Sequence, residues 1–180
     1  MGELTKLERD LSVFEKLGLE KPPVGVKFLF EKPESLPRLD KKLGLCEMLI
    51  EAQKGNVFYA DFENHECAGP VPLGMVEMDP FYEAGQIGPC LEVFKEGRAN
   101  RRVYEVLPKL AKGSCNYTAF APLGKLAFEP DVLVLSGPVR KMEIVLRSFS
   151  YTTGAMYESR STPVLGCAWT FVYPYVSGKI

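Results

Sequence analysis

The sequence predicts a single mixed α/β (α+β) domain with a central mixed sheet flanked by helices, and three observations lead there. Val24, Val26, Phe28 and Phe30 alternate with Gly25, Lys27 and Leu29, the period of a strand with one buried face. Leu4, Leu7, Leu11, Phe14 and Leu17 recur at helical spacing. Strand-like and helix-like stretches then follow one another without an internal repeat, a low-complexity run or a linker, as in a sheet layered with helices. A chain of 180 residues suits one domain spanning 1–180 and can bury a core without disulfides or a structural metal.

Taken in order, a first amphipathic helix is expected from Leu4 to Leu17, with Gly18 as its stop. The Val24–Phe30 strand follows the Pro22-Pro23 break, and a proline-bearing loop covers 33–40. Leu43 to Lys54 reads as a helix ended by Gly55, with Cys46, Leu49 and Ile50 on one face. Asn56 to Phe62 is aromatic and β-branched enough for a second strand. Glu63 to Gln86 holds His65, Cys67, Gly69, Pro70, Pro72, Gly74, Pro80 and Gly85, so it is expected to be irregular, and long irregular segments inside compact domains are often functional. A short helix at Pro89–Phe94 precedes a clearer one at Arg98–Ala111, bent by Pro108, with Val103, Val106, Leu107 and Leu110 buried. Strands are expected at 116–121 and 132–136. A helix from Val139 to Tyr151 turns Met142, Leu146 and Phe149 inward. The aromatic stretch from Val164 to Val176 reads as a last strand, and its position just before Gly178-Lys179-Ile180 raises the expectation of a further C-terminal element.

Composition excludes several classes. With 22 basic and 23 acidic residues, and Lys41-Lys42 and Arg101-Arg102 as the densest basic spots, no stripe for nucleic acid forms. No run of about 18 apolar residues suggests a membrane span. The start, Met1-Gly2-Glu3-Leu4, lacks an apolar signal core, so a cytoplasmic protein with reduced thiols is expected. Glycine-rich phosphate loops and a serine-nucleophile elbow are both absent from the sequence. The Gly137-Pro138 corner before a helix is a turn first, although helix N-termini can meet anions.

Chemistry concentrates in five cysteines, Cys46, Cys67, Cys90, Cys115 and Cys167. None belongs to a C-x-x-C pair, which rules out a zinc ribbon, a thioredoxin motif or a ferredoxin run. Cys67, Cys90, Cys115 and Cys167 each have a glycine within two residues, which lets backbone N–H groups turn towards a thiolate or lets the chain pack closely. Three readings stand open: small buried hydrophobes, metal or iron–sulfur ligands, and reactive thiols. His65, the only histidine, lies two residues before Cys67. An imidazole beside a thiolate suits zinc or iron, or a nucleophilic pair; a turn histidine is the plainer reading. Phe58, Tyr59, Phe62, Phe81 and Tyr82 read as core, or as the lining of a ligand pocket near the same loop. Asp61, Glu63 and Glu66 flank that loop.

Several of these pieces together resemble one family. They are Pro23-Val24-Gly25-Val26-Lys27-Phe28, Cys46 opening a helix, Glu63-Asn64-His65-Glu66-Cys67 and Leu73-Gly74, followed by Ala121-Pro122-Leu123, Glu129-Pro130-Asp131-Val132 and Gly166-Cys167-Ala168. In order and spacing they are similar to DUF169, archaeal and bacterial proteins of unassigned role, over nearly the whole chain. The resemblance implies that Cys46, Cys67 and Cys167 occupy positions where members agree, whereas Cys90, Cys115 and His65 are more particular to this chain. It also implies further residues past the point matching Ile180. Three thiolates would suit a [4Fe–4S] cluster with one open iron, or a metal with an exchangeable ligand.

The function expected is therefore that of a cytoplasmic metallocofactor protein. Cys46, Cys67 and Cys167 would hold an iron–sulfur cluster or another metal such as zinc, with His65 beside them and the Glu63–Gly74 loop as the site wall. Its role would be redox or cofactor handling, and its partners a small molecule or a redox protein, with neither nucleic acid nor membrane. Two rivals are a metal-free small-ligand or partner-binding module with structural cysteines, and a cysteine-dependent enzyme using Cys67. Whether the protein is an enzyme, and its oligomeric state, are left open by the sequence.

Overall fold

The computed structural model describes residues 4–179; Met1–Glu3 and Ile180 lie outside them. The mixed α/β architecture takes the form of a four-stranded sheet, antiparallel at every pairing, with helices packed mainly on one side. Its strands are β1 (Val24–Leu29), β2 (Phe58–Asp61), β3 (Tyr117–Pro122) and β4 (Val132–Val134), in the order β2-β3-β1-β4.

Period-two alternation assigns the two faces of the sheet. Phe58, Phe120, Val26 and Val132 are register partners, so they form one row across the sheet, and all four belong to the principal core. Helix α1 (Leu45–Gln53) lays Leu45, Met48 and Ala52 on this face. It ends where Gly55 adopts φ 100°, a conformation other residues resist. The exposed side of α1 includes Cys46 and Ile50, so the buried stripe runs through Leu45, Met48 and Ala52, one residue out of phase with the stripe expected at Cys46, Leu49 and Ile50.

The other face carries Leu29, Tyr59, Ala119 and Ala121, and the N-terminal segment covers it. Leu4, Leu7 and Leu11 pack there from an extended strap, pinned by Leu7 N donating to Ala127 O (3.3 Å) and Glu129 N to Thr5 O (2.8 Å). This corrects the expected Leu4–Leu17 helix, of which only a 3-10 stretch at Ser12–Leu17 forms. The leucines need the sheet, and an extended strap delivers them to a long strip of it where a helix would concentrate them at one spot.

A second layer holds α2 (Pro80–Glu83), α3 (Ile87–Cys90) and α4 (Gly97–Glu105), whose Tyr104 joins Leu107, Val164, Ala168 and Trp169 in a satellite core. The helix expected from Arg98 to Ala111 stops before Pro108 instead of bending there, and Val106 is exposed. Helix α5 (Val139–Thr153) forms as expected, but none of its residues is fully buried and Phe149 is exposed. The largest correction is at the C-terminus. Val164–Val176 is not a strand; Ala168–Val172 forms a wide π-helical turn that runs into α6 (Tyr173–Ser177). Phe171 and Val172 enter the principal core while Ala168 and Trp169 enter the satellite one, a helical spacing that joins both and outweighs the β-propensity of aromatic residues.

Phe120 is fully buried, stacks on Phe58 (centroids 5.3 Å apart) and meets Phe171 edge-on (6.4 Å). Replacing it with alanine is expected to lower the unfolding free energy by roughly 3–5 kcal/mol, read from the midpoint of a urea titration at unchanged slope.

Candidate functional site

Backbone pairing builds the site before any cysteine contributes. The chain from β2 onward runs alongside residues 38–43, with parallel bridges at Arg38–Tyr59 and Leu43–His65. Leu43 N donates to Asn64 O (2.8 Å) and Glu66 N to Leu43 O (3.2 Å). Asn64 locks this pairing. Its buried amide donates to Leu39 O (2.9 Å) and Lys41 O (3.1 Å), and its Oδ1 accepts from Asp61 N (3.1 Å). Arg38 reinforces it from outside with a two-pronged contact to Asp61 (both 2.8 Å) and a further one to Glu63 (2.7 Å). Asp61 and Glu63 thus serve a structural ion pair, and Glu66 is exposed.

Cys67 is thereby delivered to the N-terminus of α1. Its Sγ accepts from the N–H of Leu45 (3.4 Å), the first residue of that helix, and from the N–H of Gly69 (3.3 Å). Donors at a helix N-terminus favour negative charge on the atom they face. Cys46 is the next residue along α1, whose start is fixed by the Glu47 carboxylate accepting from Gly44 N (2.7 Å). A Cβ built on Gly44 would stand 3.8 Å from both the Cys46 and Cys67 sulfurs, so the two lie within twice that distance of each other.

Cys167 arrives from the other end of the chain, just before the π-helical turn, and packs half-buried against the principal core. Burial pushes its thiol up to about 12, and the neighbouring Cys67 and Cys46 sulfurs push the same way. The three cysteines singled out from sequence therefore occupy one neighbourhood, two exposed and one half-buried. The other two have different settings. Cys90 is exposed on α3, and Cys115 is buried before β3, where its thiol donates to Tyr117 O (3.3 Å) and burial raises it to about 12.

His65 borders the same loop. A Cβ on Gly69 would fall 2.9 Å from Leu45 Cβ, 3.2 Å from Cys67 Sγ and 3.3 Å from His65 Nδ1, so only glycine lets the loop close over these groups. Both ring nitrogens of His65 are buried without a hydrogen-bond partner. Burial holds the imidazole down to about 4, against a smaller opposing pull from Asp61, so at neutral pH the ring is uncharged. Among the described residues, no three His, Cys, Asp or Glu side chains stand at the spacing of ligands around a single ion. Of the aromatic residues read as a possible pocket, Phe58 and Tyr59 are buried on opposite faces of β2, while Phe62 and Phe81 are exposed; the five share no wall.

The Glu63–Gly74 segment expected to matter does form the wall of this neighbourhood, with Leu73 fully buried in the core beneath it. Sequence reasoning missed Asn64 as the clamp of the wall, and the backbone N–H groups of Leu45 and Gly69 as donors. Asn64 lies inside the Glu63–Cys67 run and its role could have been suspected there; backbone donors leave no residue signature.

The model of one family matches residues 13–180. The chain belongs to DUF169, a family described as uncharacterised ArCR. No curated protein and no solved structure matches the chain. No helix among the described residues is long and apolar enough to cross a membrane. The cysteine neighbourhood of this DUF169 protein thus rests on its own geometry.

Two measurements check that geometry. The His65 ring resonances should stay at their neutral positions until the pH nears 4. Because the unfolded chain takes up that proton near 6.5, stability should fall as pH drops from about 6.5 to 4, and His65→Gln should flatten that part of the profile. Gly69→Ala, which forces the loop off Leu45, should lower stability by about 1–3 kcal/mol in thermal or urea unfolding.

Proposed function

We propose that this protein binds an iron–sulfur cluster, or another thiophilic metal, through Cys46, Cys67 and Cys167, with His65 beside them, and acts in electron transfer or cofactor handling. The observation that carries this reading is the pair of exposed sulfurs of Cys46 and Cys67 at the start of α1, with two backbone N–H groups directed at one of them and Cys167 near enough for their charges to bear on its thiol. Coincidental core cysteines do not need such donors, and the exposure of Cys46 and Cys67 argues against a packing role for them.

The donor chemistry fits. Thiolates are the preferred ligands of iron–sulfur clusters, and hydrogen bonds to sulfur tune their potential. A neutral imidazole with two unsatisfied buried nitrogens is a group that gains from a ligand, a proton donor or a metal ion. Ligands around one tetrahedral ion must approach to about 3.8 Å from one another, given bonds of about 2.3 Å. A cluster asks for wider spacing, because each cysteine binds a different iron. An upper bound of twice 3.8 Å between the Cys46 and Cys67 sulfurs is compatible with that wider spacing. When bound, a cluster would supply one-electron redox chemistry, and the chain's own residues would hold it, exclude water on the Cys167 side and leave the Cys46–Cys67 side open to a partner.

Protein purified without oxygen is expected to be coloured, with iron and sulfide in matching amounts. Cys46→Ser, Cys67→Ser and Cys167→Ser should each cut bound iron at least several-fold, while Cys90→Ser leaves it unchanged. Colourless, metal-free protein that also fails to take up iron and sulfide in reconstitution would overturn the proposal.

A further inference from the structure

The three clustered thiols are not equivalent, and the inequality points to a modification site. Cys46 and Cys67 are exposed, whereas Cys167 is half-buried against the core. A Cβ built on Gly44 would stand 3.8 Å from both exposed sulfurs, which puts the two within twice that distance of each other. The backbone N–H groups of Leu45 and Gly69 both face the Cys67 sulfur, a setting typical of attacking cysteines at helix N-termini. Cys46, on the first turn of α1, is an exposed thiol close enough to follow it.

We propose that Cys46 and Cys67 form a reversible disulfide on oxidation by a peroxide, with Cys67 attacking first and Cys46 resolving. In the first step the Cys67 sulfur displaces water from protonated peroxide and becomes a sulfenic acid. In the second the Cys46 sulfur attacks the sulfenic sulfur, its hydroxyl leaves as water, and the disulfide is complete. Two thiols lose two electrons and two protons, and one peroxide becomes two waters. The bond removes two of the three thiols from the site, so a metal could be loaded only after a dithiol reductant has reopened it. The proposal rests on the grouping of the thiols and needs no bound metal.

The experiment uses the full chain, reduced and stripped of metal, treated with one equivalent of hydrogen peroxide, quenched in acid and digested for mass spectrometry. Free thiols should fall from five to three, with a Cys46–Cys67 cross-linked peptide that disappears after dithiothreitol. In Cys46→Ser protein, dimedone should trap the sulfenic acid on Cys67; in Cys67→Ser protein, Cys46 should react more slowly by tenfold or more. A cross-link to Cys167 or Cys90, or peroxide-treated wild-type protein that keeps all five thiols, would overturn the proposal. Since the readout is made without metal, a Cys46–Cys67 disulfide in a protein that never takes up iron would sink the cofactor reading alone. An iron-binding protein without this disulfide would sink only the oxidation site.

Discussion

Burial of one face of the sheet is the constraint on which the rest of this molecule depends. Phe58, Phe120, Val26 and Val132 lie in register across four strands and leave a continuous apolar strip that must be covered. Two elements cover it, α1 through Met48 and Ala52 and the C-terminal helical turn through Phe171 and Val172. Each carries a cysteine at its leading end. The hydrophobic strip therefore does what no local signal could, bringing the helix start that carries Cys46 and the turn that carries Cys167 to the same core from well-separated parts of the chain. Their proximity is a by-product of packing in energetic terms, and it gives the site a rigid floor on its Cys167 side.

The third cysteine is positioned by a different physics. Cys67 lies on a segment held by backbone hydrogen bonds to residues 39–43, with Asn64 satisfying three backbone groups at once. Buried polar clamps of this kind are costly to leave incomplete, so they specify one register and tolerate little slippage. Gly69 then allows the loop to close until its own N–H reaches the Cys67 sulfur. Packing sets two of the thiols and polar geometry sets the other, and this division gives the neighbourhood one shielded and two accessible sulfurs.

His65 adds unsatisfied polarity beside Cys67. His65 keeps two buried ring nitrogens without partners, in a chain that elsewhere goes to some length to pair its charges, as where Lys41, Lys54 and Asn56 all meet the Glu51 carboxylate and hold it down to about 2. A buried imidazole without hydrogen-bond partners beside the Cys67 sulfur carries a local cost in desolvation.

Local pattern alone placed four strands and α1 with its Gly55 stop, because alternation and helix-end chemistry are local properties. It also marked the Glu63–Gly74 segment and, through the motif pieces shared with DUF169, singled out Cys46, Cys67 and Cys167. Only the tertiary structure decided the rest. The leucines of the N-terminus became an extended strap because a bare sheet face awaited them, and Val164–Val176 became helical because its apolar residues had to reach two cores at once. Periodicity cannot distinguish these outcomes, since the same residues satisfy either conformation until a partner surface is present. The convergence of the cysteines was equally invisible, because sequence order carries no distance between residues so far apart, and the donors that meet Cys67 are backbone N–H groups that every residue but proline possesses.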